Sequence, residues 1–176
     1  MSDRTKVARL DARGMITLRG DLAAAKLAKA VKAVAGQGVP QAGGYLGDRA
    51  SGVAWMSPDE LLLMVPYGQV ADGLKALDAA LAGSHYLAVD VSDARAVFTV
   101  EGPSARDTLA RLCPVDFHTD TFKAGDFRRT RMAQIAAAVW RHEGGFGVVC
   151  FRSVADYAGA ILRNAAKGGP VGALGK

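Results

Sequence analysis

The sequence predicts an α+β fold made of two related halves, and two observations support this prediction. The segments 15–20 (MITLRG) and 97–102 (VFTVEG) alternate apolar and polar residues, as half-buried strands do, and each runs into residues typical of a helix start. Further along, the helix start VAD at 70–72 recurs at 154–156. These matches keep the same order at offsets between 82 and 84 positions, which favours an internal duplication over chance.

Length and composition place both halves in one domain. The chain has 176 residues, of which 50% are hydrophobic and 22% are charged. These are ordinary values for a globular domain, which at this size buries roughly 70% of the surface of its unfolded chain. We predict a single domain over residues 1–176, with halves at about 14–84 and 85–166 and a flexible tail at 167–176.

Each half is predicted to run strand, helix, strand, hairpin strand, helix. In the first half the strand at 15–20 meets Asp21 as a helix cap. The apolar stretches at 52–56 and 61–65 flank a Ser-Pro-Asp-Glu turn and predict a hairpin. An amphipathic pattern at 69–81 then predicts the second helix.

The second half repeats this order. After its first strand, a helical pattern starts at Ala105, and a hairpin follows with strands at 135–140 and 146–151. The last helix is predicted at 153–166. An additional strand at 85–91 links the two halves.

Charge and hydropathy bear on the partners and the location of the chain. It has 22 Lys and Arg against 17 Asp and Glu, a net charge of +5, and this mild excess does not select a class of partner. No apolar run approaches the 18 or so residues of a membrane span. The polar residues 2–6 are not followed by a signal-peptide core. We expect a cytoplasmic protein that has no membrane partner.

The residues that usually carry catalysis are not arranged as a catalytic or metal site. His85, His118 and His142 fall at strand ends and in a loop, away from any Ser or Cys motif. The Gly-rich stretch 36–47 lacks the flanking strand and helix of a phosphate-binding loop, so we interpret it as a plain loop. The sequence therefore predicts no catalytic, cofactor-binding or metal-ligating residue in this chain.

The two cysteines are predicted to be buried thiols. Cys113 lies in a predicted helix and Cys150 in a predicted strand. They form no C-x-x-C pair, so neither a redox nor a metal role is indicated.

The densest positive charge lies in the segment 127–132 (FRRTRM). Alternation along a strand places Arg129 and Arg131 on one face with Phe127, and Arg128 on the other. A solvated strand face, a subunit contact and nucleic-acid binding are three explanations that remain open. Guanidinium groups pair well with carboxylates and arginine is enriched at interfaces. Single-strand binders interleave more aromatic residues, so we do not expect a nucleic-acid partner. The candidate subunit-interface residues are therefore Phe127, Arg129 and Arg131.

Long stretches of the chain carry the motifs of one known family. They are VDVSDARAVFTVEGPSARDTLARLCPVD at 89–116, FRRTRMAQIAAAVWR at 127–141, FGVVCFRSVADYAGAIL at 146–162 and WMSPDELLLMVP at 55–66. Together they resemble the gamma subunit of heterotetrameric sarcosine oxidase over about residues 14–166. More distantly, the Asp-Val-Ser segment at 90–92 and the strand-helix-strand order resemble the folate-binding domain of glycine-cleavage aminomethyltransferases. That resemblance implies a duplicated fold with exchanged first strands.

The resemblance also implies a function. It implies a sarcosine-oxidising complex in which this chain contacts alpha, beta and delta subunits. Those subunits hold FAD, FMN, NAD, tetrahydrofolate and zinc, while gamma holds no cofactor. Aminomethyltransferases carry an acidic pair in the region matching 132–141, where this chain reads MAQIAAAVWR without a carboxylate. A catalytic folate role is therefore not expected.

Two functions follow as expectations. The first is a non-catalytic structural subunit of sarcosine oxidase, which oxidatively demethylates sarcosine to glycine. The alternative is a free-standing folate-binding protein of one-carbon metabolism, which would need an acidic residue and an aromatic stack facing one pocket.

Overall fold

Two five-stranded antiparallel sheets and four α-helices make up the part of the chain described by the structure, a computed structural model covering residues 5–48 and 51–168. The strands are β1 (Lys6–Arg9), β2 (Arg13–Gly20), β3 (Tyr45–Gly47), β4 (Gly52–Ser57), β5 (Glu60–Pro66), β6 (Tyr86–Asp90), β7 (Arg95–Glu101), β8 (Phe127–Met132), β9 (Ile135–His142) and β10 (Gly145–Phe151). The helices are α1 (Ala25–Ala35), α2 (Val70–Leu81), α3 (Ala105–Ala110) and α4 (Ala155–Ala166). The predicted tail at 167–176 lies outside the described residues from position 169 onward.

One compact unit, Ala12–Asp93, contains the sheet with strand order β3-β4-β5-β2-β6 together with α1 and α2. Its core lies between one face of the sheet and the apolar stripes of the two helices. Leu18 of β2, Leu63 of β5 and Leu77 of α2 have no exposed surface there. Burial of such an amphipathic stripe is what holds a surface helix on a sheet.

The other compact unit joins the residues up to Asp11 with those from Ala94 onward. Its sheet has the order β1-β7-β10-β9-β8 and carries α3 and α4. The core of this unit is rich in aromatic residues, since Phe98, Phe117, Phe122 and Phe146 are each at most 1% exposed. Aromatic side chains therefore supply much of the apolar surface that this unit buries.

The two sheets exchange their first strands. The strand β1, at the start of the chain, pairs with β7, with Lys6 opposite Glu101. The linking strand predicted at 85–91 is β6, and it pairs back onto β2, with Asp90 opposite Ile16. The compact units divide after Asp93 because this pairing keeps β6 in the first sheet. The predicted α+β class and the fold implied by the aminomethyltransferase resemblance are confirmed.

Two local predictions in the first half are wrong. Asp21 does not cap a helix directly, because its carboxylate accepts a hydrogen bond from the Ala23 N–H at 3.0 Å and forms a turn, and α1 begins at Ala25. The stretch 36–47 is not a loop throughout, because its last three residues form β3 against β4.

The helical assignment of Cys113 is also wrong. The helix α3 ends at Ala110, and Cys113 lies in the bends that follow. Pro114 comes next in the chain, and a residue before proline is disfavoured in the α conformation.

Candidate functional site

The arginine-rich segment forms β8, the edge strand of its sheet, and a tight turn joins it to β9. The turn passes through Ala133, whose φ of 51° is the one positive value at a non-glycine residue among those described. The Ala133 N–H donates to the carbonyl of Leu112 at 2.7 Å, which ties the hairpin to the chain beyond α3. The hairpin is therefore held at its turn as well as along its strands.

The structure separates the three candidate interface residues by depth. Arg129 and Arg131 are exposed, and an Arg131 N–H donates to the Gln134 side-chain oxygen at 3.0 Å. Phe127 is 1% exposed, and its ring stacks on Trp140 at a centroid distance of 6.5 Å. Phe127 is thus a buried anchor of the strand, and the two arginines are the members that reach the surface.

Arg128 points to the opposite side of β8 and is held in a defined position. Its guanidinium donates to the carbonyl of Phe127 at 2.8 Å. The same group lies 5.9 Å from the centroid of the Phe122 ring, within the range of a cation–π contact. Arg128 therefore links the edge strand to the loop that contains Phe122.

That loop is anchored by an aromatic cluster of Phe117, Phe122 and Phe146. The ring centroids are 5.2 Å apart for Phe117 and Phe122, 5.8 Å for Phe117 and Phe146, and 6.0 Å for Phe122 and Phe146. Tilted and edge-to-face pairs at such distances are favourable beyond the area that they bury. The cluster fixes the loop against β10.

Two further arginines lie over the same cluster. The guanidinium of Arg106 is 5.4 Å and that of Arg141 is 5.0 Å from the centroid of the Phe146 ring. Arg106 donates to the carbonyls of Phe117 and Phe122, the latter at 3.0 Å. Burial, and secondly the charge of Arg141, lower the pKa of the Arg106 guanidinium. Arg141 also donates to carbonyl oxygens, those of His142 and Gly145.

A cavity of about 320 Å³ lies between β8 and the loop. It is bordered on the strand side by Arg128, Arg129 and Thr130 and on the loop side by residues 114–116, Thr121 and Phe122. We call it the β8 cavity. Its lining combines two arginines with apolar residues.

One acidic side chain, Asp116, lies among the residues that line the β8 cavity. Its carboxylate accepts a hydrogen bond from the His118 N–H at 2.9 Å. This bond, followed by one from the Thr121 hydroxyl, lowers the pKa of the Asp116 carboxyl. The Asp116 charge is thus engaged within its own loop.

Sequence reasoning pointed to β8 but missed the cavity and Arg106. The spacing of Phe117, Phe122 and Phe127 at intervals of five, in a stretch with no regular pattern, was the available signal for an anchored loop. Nothing in the sequence around Arg106 indicated that its side chain reaches carbonyls 11 and 16 residues away.

The three histidines lie in separate local environments. His85 is exposed, and His118 Nδ1 accepts from the Asp120 N–H at 3.2 Å. His142 is buried, with Nδ1 2.8 Å from the Glu143 carbonyl oxygen. In residues 5–48 and 51–168, no three His, Cys, Asp or Glu side chains form a group suited to a metal ion.

Both cysteines are free and buried. Burial raises the pKa of the Cys113 thiol to about 12. Burial also raises the pKa of Cys150, with a smaller opposing effect of Arg9. Thiols in this state are poor nucleophiles, because the thiolate is the reactive form.

Within the described residues, none of the helices has the length and apolar character needed to cross a membrane.

The exchanged first strands and the repeated strand-helix order place this chain in the class of duplicated α+β folds. Comparison with known proteins then gives the family. The chain belongs to the sarcosine oxidase, gamma subunit family, whose model matches residues 19–168. The resemblance noted from the motifs is confirmed.

Individual relatives agree with this assignment. Sarcosine oxidase subunit gamma of Arthrobacter sp. is 36% identical over 114 residues, which cover 64% of this chain and 55% of that protein. The chain spans 55% to 61% of the length of the curated relatives it matches. A chain of the heterotetrameric sarcosine oxidase from Corynebacterium sp. U-96, solved in complex with pyrrole 2-carboxylate, is 26% identical with a TM-score of 0.84, covering 95% of this chain and 86% of that one.

The fold extends to a more distant protein. The glycine cleavage system aminomethyltransferase T from Bartonella henselae has a TM-score of 0.66 at 16% identity, covering 90% of this chain and 45% of that one. At this identity the likeness concerns the fold alone.

Proposed function

We propose that this chain is the gamma subunit of a heterotetrameric sarcosine oxidase and contributes structure rather than catalysis. The observation that carries the proposal is the match over 95% of the chain, at a TM-score of 0.84, to a chain of the Corynebacterium heterotetramer. The complex demethylates sarcosine oxidatively to glycine. This chain acts within it by binding the other subunits.

The chemistry of the described residues supports a non-catalytic role. The histidines His85, His118 and His142 have separate local environments, and burial keeps both thiols protonated. The strand β9 carries no carboxylate in the region where aminomethyltransferases have an acidic pair. General acid–base chemistry on a folate or an iminium ion needs such a positioned group.

The partners and cofactors follow from membership of the complex. The partners are the alpha, beta and delta subunits, in the cytoplasm. Those subunits carry FAD, FMN, NAD, tetrahydrofolate and zinc, and the gamma chain carries no cofactor.

The strand β8 is the part of this chain that we assign to a subunit contact. Arg129 and Arg131 are exposed on the edge strand of the sheet, on the face that also carries the buried Phe127. Arginine is enriched at protein interfaces and pairs well with carboxylates.

Co-expression tests the proposal. A tagged form of this chain should retain alpha, beta and delta subunits through affinity and size-exclusion steps, and the purified complex should produce peroxide from sarcosine. The chain purified alone should be colourless and inactive toward sarcosine. The proposal is wrong if the tagged chain emerges without the other subunits, or if the isolated chain shows a flavin absorption band or oxidises sarcosine.

A further inference from the structure

We propose that the β8 cavity, which Arg128 and Arg129 line, seats an acidic segment of a partner subunit whose Asp or Glu carboxylates pair with these two arginines. This inference rests on the proposed function as a subunit. It adds the chemistry of the partner segment and the place where it binds.

The charged residues that line the β8 cavity indicate an acidic ligand. The lining residues include two arginines, Arg128 and Arg129, and one acidic residue, Asp116. Asp116 already accepts hydrogen bonds from His118 and Thr121 in its own loop. A guanidinium carries five N–H donors in a planar fork that matches a carboxylate, so Arg128 and Arg129 can each bind a carboxylate in addition to their present contacts.

The apolar walls add a second requirement. Pro114, Val115 and Phe122 contribute to the loop side of the cavity. A small inorganic anion would bind the arginines but leave this apolar surface in water, whereas a peptide segment can pair a carboxylate with an apolar neighbour. The volume of about 320 Å³ lies near the lower end of the range of ligand pockets, roughly 300 to 1,000 Å³. It suits one or two side chains of a segment.

The cavity is held in shape by contacts within this chain. Arg106 bonds to the carbonyls of Phe117 and Phe122, which fixes the loop wall. The contact of Arg128 with the Phe122 ring fixes the strand wall relative to it. A surface ordered in advance loses less conformational entropy on binding, which favours affinity.

The first test uses charge reversal in the whole complex. Arg129→Glu is exposed and should weaken binding to the co-expressed alpha, beta and delta subunits about tenfold or more at low salt, measured by biolayer interferometry. The difference in affinity between the parent and Arg129→Glu should shrink as the salt concentration rises, because screening weakens exposed charge pairs. The control Arg163→Glu makes the same charge change on an exposed residue of α4 and should stay within about twofold of the parent.

The outcomes separate this inference from the proposed function. If the parent chain does not bind the other subunits, the proposed function fails. If the parent binds and Arg129→Glu binds as well as Arg163→Glu does, the function stands and the cavity proposal is overturned.

The second test locates the segment. A photo-crosslinking amino acid at Thr130, which lines the cavity, should capture a partner segment containing an Asp or Glu, while the same group at exposed Asn164 of α4 should not. Changing that acidic residue to its amide should reproduce the loss seen with Arg129→Glu, and the two changes together should cost little more than either one. The cavity proposal is overturned if the complex assembles without a cross-link from Thr130, or if changing the acidic residue to its amide does not weaken binding. A third overturning result combines two observations: the isolated chain binds succinate and loses this binding in Arg129→Glu, and the cross-linker at Thr130 captures no partner. The occupant of the cavity would then be a small anion.

Discussion

The guanidinium of Arg106 lies 5.4 Å from the centroid of the Phe146 ring and joins α3 to β10 across the core. The same guanidinium donates to the carbonyls of Phe117 and Phe122. One side chain thereby supplies hydrogen-bond donors to two carbonyl groups of an irregular segment.

Replacing Arg106 should therefore destabilise the fold. Arg106→Ala removes the two bonds to the loop carbonyls and the contact with Phe146, and we expect a loss of about 2 kcal/mol in the free energy of unfolding. Urea denaturation followed by circular dichroism measures it. Arg163→Ala, at an exposed position of α4, should change stability by less than about 0.5 kcal/mol. Equal urea midpoints for both variants would mean that Arg106 does not anchor the loop that contains Phe117 and Phe122.

Gly147 should not tolerate a side chain. A Cβ there would come within 2.1 Å of the Trp140 ring, which is itself stacked against Phe127. Gly147→Ala should lower stability by about 1 to 3 kcal/mol through overpacking. Gly68→Ala is the matched control, since a Cβ at Gly68 meets no atom within 4 Å. Thermal unfolding that shifts equally in both variants would contradict the close approach at Gly147.

Both thiols should be unreactive in the native chain. Burial raises the pKa of Cys113 to about 12 and raises that of Cys150, so the thiolate is scarce at pH 8. At that pH the thiolate fraction of Cys113 is on the order of one in ten thousand. Labelling with a disulfide reagent should be slow in buffer and should reach two thiols per chain in denaturant. Rapid labelling of the folded chain would show that one site is open or its thiol activated.

The exposed arginines of β8 should affect assembly without affecting the fold. Arg129→Ala combined with Arg131→Ala should leave the circular dichroism spectrum unchanged but weaken co-purification with the other subunits at low salt. A buried, hydrogen-bonded charge pair costs about 2 to 5 kcal/mol when one partner is truncated, and a pair at the rim well under 1 kcal/mol. Lys29→Ala with Lys32→Ala removes the same charge from exposed positions of α1 and serves as control. If both doubly substituted chains retain the partner subunits equally across a salt series, Arg129 and Arg131 belong to a solvated strand face and not to a subunit contact.

Local periodicity determined much of the secondary structure. Alternation at 15–20 and 97–102 predicted β2 and β7, and the apolar stripes at 69–81 and 153–166 predicted α2 and α4. These features were readable because the period of a strand or a helix is set by neighbouring residues. The family motifs indicated the membership that the comparisons confirmed.

Tertiary structure decided which strands lie side by side. The sequence predicted a strand at 85–91, but the pairing of β6 with β2, and of β1 with β7, depends on contacts between residues far apart in the chain. Alternation also placed Phe127 on the same face as Arg129, yet it carries no information about how deeply that face is buried at each position. The β8 cavity and the reach of Arg106 to the loop arise because the hairpin and the loop meet in space, and no local pattern encodes such a meeting.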